Sequence, residues 1–205
     1  MTVTLQTTNI SLPQMISLSV AESLQAISQL HQPRGVAFME NAAQALAACF
    51  TSGGKVLIAG NGGSLCDAVH FAEEFTGVFR KVRPPLPVIP LSDPGHITCT
   101  ANDLGFESVF ARGIQAYGRP GDIFIGLTTS GNSPNMLRAF STAKEQRLLT
   151  ISLLGKGGGH LAGVADLELL ISGKTSDRVQ EAHMTALHII IELVESLLFP
   201  DIANA

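Results

Sequence analysis

The sequence has no tryptophan and a single tyrosine, so ten phenylalanines make up almost all of its aromatic content. Its core must be filled mainly by Leu, Ile, Val and Ala, as in parallel sheets covered on both faces by helices. Cysteine is sparse. Cys49, Cys66 and Cys99 are odd in number, widely spaced and without a CxxC pair, which argues against a disulfide framework or a cysteine zinc site and suits a reducing cytoplasm. The net charge of −4 comes with no Lys/Arg cluster, so the electrostatic footprint of a nucleic-acid or anionic-membrane binder is missing. The opening MTVTLQTTNISLPQM has neither a basic leader nor an apolar core of signal-peptide length, and no uninterrupted apolar run is long enough for a bilayer. The expectation is a soluble, cytoplasmic protein with no nucleic-acid or membrane partner.

What is present is apolar and regular. With 45% hydrophobic and 15% charged residues, the 205-residue chain reads as one well-buried domain, 1–205. Residues 1–54 carry two helical patterns, from Ser11 to Gln32 and from Arg34 to Gly54. From Lys55 to about residue 175 the pattern changes to five short β-rich runs, KVLIAG, PVIPLS, DIFIGLTT, LLTISLLG and DLELLI. Helical spacing recurs at Asp67–Val78, Ser108–Tyr117 and Asn135–Glu145. Strands alternating with helices predict an α/β fold, a three-layer sandwich around a five-stranded parallel sheet. Residues 176–199 read as a long last helix. It is apolar around too much of its circumference for one sheet to cover, which predicts an oligomer built partly on helices.

Two strands end in small-residue turns, VLIAGNGGS and IFIGLTTSGNS. In a parallel sheet both turns fall at the carboxyl ends of strands, where open α/β folds bind ligands, and free N–H groups at helix starts attract anions. Ser64 and Ser133 could instead be plain helix caps. GNGGS lacks the GxGxxG spacing, and no lysine follows as in a P-loop. Hydroxyl-rich cradles of this kind fit a sugar phosphate.

His70 and Glu74, one turn apart on one helical face, can converge on a metal or a substrate proton, or can form a solvent-facing pair. On the last helix Gln180 and His188 are about 80° apart, within one broad face, while His183 is about 140° from His188 and cannot easily share a ligand with it. A core histidine bonded to backbone is the alternative for either. Cys66, near a helix start, reads as packing, and His31, His96 and His160 read as exposed residues of loops or helix ends. Asp103 and Asp177 read as ligand contacts or turn caps.

Taken together, GNGGSLCDAVHFAEEFTG, ANDLGF, TTSGNS, GKGGG and DRVQEAH…LH resemble, in order and spacing, the phosphoheptose (sedoheptulose-7-phosphate) isomerases of the sugar isomerase (SIS) domain superfamily, over residues 39–198. The resemblance implies a homotetramer with active sites at subunit contacts and zinc held by His70, Glu74, Gln180 and His188. It also implies substrate contacts from Asn61, Gly62, Gly63, Glu74, Asn102, Asp103, Thr128, Thr129, Ser130, Ser133 and Gln180. The implied reaction converts sedoheptulose 7-phosphate to D-glycero-D-manno-heptose 7-phosphate through an enediol, the first step toward a nucleotide-activated heptose. Glu74 is the expected base and His188 the expected acid. Leu65 and Val78 depart from the family pattern, which has His and a basic residue there. The rival reading is a SIS-domain regulator that binds the bacterial replication initiator; the full His/Glu/Gln/His set argues for the enzyme.

Overall fold

The structure is a computed structural model that describes residues 10–203. Helix α1 (Leu12–Ser28) begins where Ser11 and Gln14 form a reciprocal capping box, with Pro13 in the first turn. The sequence places one helix from Ser11 to Gln32; the chain instead tightens into a 3-10 turn at Gln29–His31 before α2 (Pro33–Thr51) starts on Pro33. The five strands are β1 (Val56–Gly60), β2 (Val88–Pro90), β3 (Ile123–Thr128), β4 (Leu149–Gly155) and β5 (Leu167–Ile171). Between β1 and β2 lies α3 (Gly63–Thr76). Between β2 and β3 lie α4 (Pro94–Leu104) and α5 (Val109–Tyr117), between β3 and β4 lies α6 (Pro134–Glu145), and α7 (Ser176–Leu198) follows β5. A short helical turn, Pro200–Ala203, ends the described chain.

The strands pair in the order β2-β1-β3-β4-β5, all parallel, with Ile58 opposite Ile125 and Ile125 opposite Ile151. The central strands are apolar runs because both faces are covered. On one face Ile58, Ile125, Leu153 and Ile171 pack with Phe71, Phe75, Leu46 and the apolar side of α7. On the other, Leu57, Phe124 and Leu154 pack with Phe110, Ile114 and Phe140, and the Phe124 and Phe140 rings meet edge to face at 5.1 Å. The sandwich read from the sequence is therefore the observed fold.

Two further readings differ from the structure. Helix α4 is absent from the helical patterns of the sequence, although Asp93 caps it through His96 N–H and Pro94 occupies its first turn. Its interior holds Thr, Asn, Asp and Cys, poor helix formers that blur the apolar period. The apolar stripe read on the first helix is also only partly buried: Leu30 packs in the core, whereas Met15, Ile16, Leu18 and Leu24 are exposed. Among the described residues, no helix is long and apolar enough to cross a membrane.

Candidate active site

The chain leaves β1 toward β2 on one side and leaves β3 toward β4 on the other. The crevice outside the carboxyl ends of β1 and β3 is thus the switch point at which open α/β sheets take their ligands. The two turns above it are bolted together. Asn61 and Asn135 exchange amide hydrogen bonds in both directions, at 2.9 and 2.8 Å, and Asn135 is buried in the first turn of α6. Asn61, read as a substrate contact, has both side-chain polar atoms engaged there.

Gly62 precedes α3 with φ +56°, a conformation that favours glycine. At Gly63 a Cβ would stand 2.7 Å from the Gln180 amide, so a larger residue would displace that side chain. Gln180 also donates to the buried Ser64 hydroxyl at 3.3 Å. Ser64 lies inside α3, and Ser133, at the start of α6, makes no side-chain cap bond; plain capping accounts for neither.

Around the second turn, Thr128 Oγ1 accepts from Gly131 N–H and Ser130 Oγ from Asn132 N–H, each at 3.2 Å. The Thr129 hydroxyl reaches Ser176 at 3.1 Å, and Ser176 also accepts from Lys156 Nζ at 2.9 Å. Lys156 has a left-handed backbone, φ +51°. The loops carry no lysine of their own, as read, but the fold brings one to the cradle's hydroxyls. The GKGGG segment that delivers it gave no sign of this in the sequence.

Two turns along α3, His70 Nε2 lies 3.2 Å from Glu74 Oε1 and 3.4 Å from His188 Nε2 on α7, and the three donor atoms all fall within 4.8 Å of one another. Glu74 is 15% exposed and His70 45%. The His188 ring stacks on Phe79 at 5.9 Å and meets His70 edge-on at 5.0 Å. Burial holds the His188 pKa below its usual value, helped by the neighbouring His70 and Arg80 and opposed by Glu74. A lowered pKa favours the neutral ring, the form that offers a lone pair, and makes the protonated ring a readier proton donor. His183 faces away, as the 140° separation predicts: it is fully buried, with Nε2 3.0 Å from the Leu154 carbonyl.

The remaining candidates are scattered. Asn102 and Asp103 lie exposed in the last turn of α4, bonded to each other at 2.7 Å. Asp177 is exposed, and a hydrogen bond with the Thr175 side chain holds its pKa below the usual value. Cys66 is exposed, contrary to the packing role read for it, because position 66 falls on the outer face of α3. His96 is half-buried in α4 with Nε2 2.8 Å from the Val109 carbonyl, rather than free in a loop. Asp67 was missed. It sits one turn before His70 with Oδ2 buried and unpartnered, and burial pushes its pKa up to about 6 against the pull of His70.

A family model for the SIS domain matches residues 19–155. A phosphoheptose isomerase of Fusobacterium nucleatum is 63% identical over 162 residues, covering 79% of this chain and 84% of the relative; one from Vibrio cholerae is 49% identical over 167 residues, covering 81% and 87%. The chain belongs to the phosphoheptose isomerase family of SIS-domain proteins. Two solved phosphoheptose isomerases superpose on it. That of Francisella tularensis has a TM-score of 0.86 at 33% identity, and that of Neisseria gonorrhoeae 0.82 at 34%, each covering 91% of this chain and all of the other. The phosphoheptose isomerase fold, with its five-stranded parallel sheet, is that read from the sequence, and the initiator-binding alternative is not favoured.

Proposed function

We propose that the protein interconverts sedoheptulose 7-phosphate and D-glycero-D-manno-heptose 7-phosphate in the cytoplasm. The observation that carries this reading is the meeting of His70, Glu74 and His188 within 4.8 Å, two turns along the helix that starts in the anion-type loop. From Gly63 to His70 the helix rises about 10 Å, so a phosphate at the loops leaves the carbonyl end of a sugar chain near the cluster.

At the phosphate end the hydroxyls of Thr129, Ser130 and Ser133 and the N–H groups at the starts of α3 and α6 orient the anion. At the other end Glu74 accepts the proton from C1 while His188 gives one to the C2 oxygen, forming the enediol. Glu74 then returns its proton to C2 as His188 takes the proton from the C1 oxygen, which leaves the aldehyde. The charge balance closes, and both groups finish as they began. Phe79, stacked on His188, shields that ring from water.

The donor set also fits zinc. Two imidazole Nε2 atoms face each other at 3.4 Å beside a carboxylate oxygen, an arrangement of lone pairs that a cation satisfies and a single shared proton satisfies poorly. In this reading His70, Glu74, Gln180 and His188 would hold the ion; Gln180 would turn its amide from Ser64 to join. When bound, zinc would polarise the carbonyl and stabilise the enediolate charge. A homotetramer is part of the proposal, supported by the exposed face of α1, where Leu12, Ile16 and Leu24 lie open, and by the apolar groove of Val36, Met39, Ile189 and Leu193 between α2 and α7.

The test is incubation of zinc-loaded protein with sedoheptulose 7-phosphate, with formation of the aldose followed by NMR and Glu74→Gln as control. Turnover by wild type and a loss of roughly 10²–10⁴-fold in the variant, at unchanged melting temperature, is expected. Absence of turnover in metal-loaded wild type would refute the activity; full turnover in the variant would refute the base.

A further inference from the structure

Arg83 is the most thoroughly buried cation in the described chain, with its side chain 1% exposed, and it touches none of the three clustered residues' side chains. It lies in the segment that returns from α3 to β2. Its guanidinium is bonded on every nitrogen. Nε donates to Glu195 Oε1 at 2.7 Å, Nη1 to the carbonyls of Phe75 at 2.7 Å and Pro84 at 3.2 Å, and Nη2 to the Glu74 carbonyl at 2.7 Å. The group also lies 5.8 Å over the Phe75 ring.

These partners sit in particular places. The carbonyls of Glu74 and Phe75 belong to the last turn of α3, whose acceptors have no helical N–H to satisfy them. Glu195 lies on α7 seven residues beyond His188, two turns on and on the same face. One rigid fork therefore ties the turn that bears Glu74 to the face of α7 that bears His188. The same segment does so again on the outside: Arg80 pairs with Glu192 at 2.9 Å and lies over Phe79, whose ring stacks on His188.

We infer that Arg83 is a positioning residue, which sets the approach of Glu74 to His188 and thereby the affinity of the His70/Glu74/His188 cluster for a divalent metal. This rests on the isomerase reading above. A lysine at 83 keeps the charge but presents a compact ammonium on a flexible stem, and it cannot serve Glu195 and two carbonyls in fixed directions. Groups that orient metal ligands from behind alter metal affinity or activity by about 10–100-fold when replaced. The phosphate loops, at the opposite end of α3, are untouched.

The experiment compares wild type, Arg83→Lys and Glu195→Gln in three measurements on folded protein: zinc affinity by competition with a chromogenic chelator, kcat and KM for sedoheptulose 7-phosphate, and thermal unfolding. The expected result for Arg83→Lys is zinc affinity and kcat both down about 10–100-fold, with KM changed less than about threefold. Glu195→Gln keeps an acceptor for Nε–H and removes the compensating charge; a smaller loss in the same two quantities is expected, and this variant carries the test if Arg83→Lys does not fold. A lower melting temperature with zinc affinity and kcat unchanged in the folded variants would make the bridge structural only and overturn the inference. Wild type that neither binds zinc nor turns over would overturn the isomerase reading, and the positioning role with it.

Discussion

His183 offers a pH effect whose size follows from its surroundings. Its ring is fully buried on α7, Nε2 faces the Leu154 carbonyl at 3.0 Å, and Nδ1 is buried with no partner. The neutral tautomer with the proton on Nε2 satisfies the contact; a second proton would create a buried cation with an unpaired N–H. Burial accordingly pushes the pKa down from 6.5 to about 4, against a small upward pull from the Leu154 carbonyl. The unfolded chain therefore binds the proton first as pH falls. The stability derived from keeping this histidine neutral is complete above pH 6.5, erodes below it, and is gone at about pH 4. A gap of that size is worth about 3 kcal/mol in all and about 2 kcal/mol already at pH 5. In His183→Gln, the amide Nε2–H can still donate to Leu154 and nothing titrates. Urea unfolding at pH 7.5, 6, 5 and 4.5, at one fixed protein concentration because assembly contributes to stability, should show the wild type losing about 2 kcal/mol more than the variant between pH 7.5 and 5. Every other titrating group, including Asp67 with its opposite trend, is common to both proteins and cancels. Parallel curves would refute the reasoning.

Three further outcomes follow from named contacts. Ser133→Ala removes a hydroxyl that makes no cap bond and so is free for the phosphate; losing a hydrogen bond to a charged group predicts a KM raised by about ten- to a hundredfold with kcat nearly unchanged, and an unchanged KM would count against this cradle. Asn135→Ala leaves the Asn61 amide unpaired and should cost about 1–3 kcal/mol in denaturant unfolding. The Asn61→Ala, Asn135→Ala double variant should then be less destabilised than the sum of the single variants; strict additivity would mean that the pair is not coupled. Gly131→Ala would place a Cβ 1.8 Å from the Gly158 carbonyl, at φ +64°, so the turn after β3 and the glycine loop after β4 must separate; loss of sugar-phosphate binding by calorimetry is expected, and wild-type binding would show that the two loops need not touch.

Much of this molecule could be read from its residues because the strands are buried on both faces and their apolar runs are unmixed. The two anion-type turns were legible for the same reason: each breaks such a run with small polar residues. Helix α4 was not, since its evidence was a single Asp-Pro start and an interior without a clean period. The His70/Glu74 pair followed from helical spacing, but its meeting with His188 depends on how α7 lies across α3, which no local pattern encodes. Lys156 shows the same limit, reaching the cradle through a left-handed turn at a residue that carries no glycine signal. So does Arg83, which reads as one more charge in GVFRKVRPP and is nonetheless buried.

Both ends of α3 place charge where the helix favours it. Its N-terminus, with partial positive charge, opens on the loop suited to a phosphate, while its last two turns, with partial negative charge, carry His70 and Glu74 and receive the Arg83 guanidinium. One helix thus polarises an anion site and a cation site about 10 Å apart, which is why a phosphate-type loop and a metal-type pair occupy a single βα junction. The arrangement places two cations, Arg83 and a bound metal, at the same helix end, where they repel. Glu195 offsets that repulsion, because its carboxylate lies 2.7 Å from Arg83 Nε. Removing its charge while keeping its oxygen should therefore weaken metal binding even with every hydrogen bond retained, and the loss should shrink as salt is added, since screening acts on the repulsion and not on the bonds.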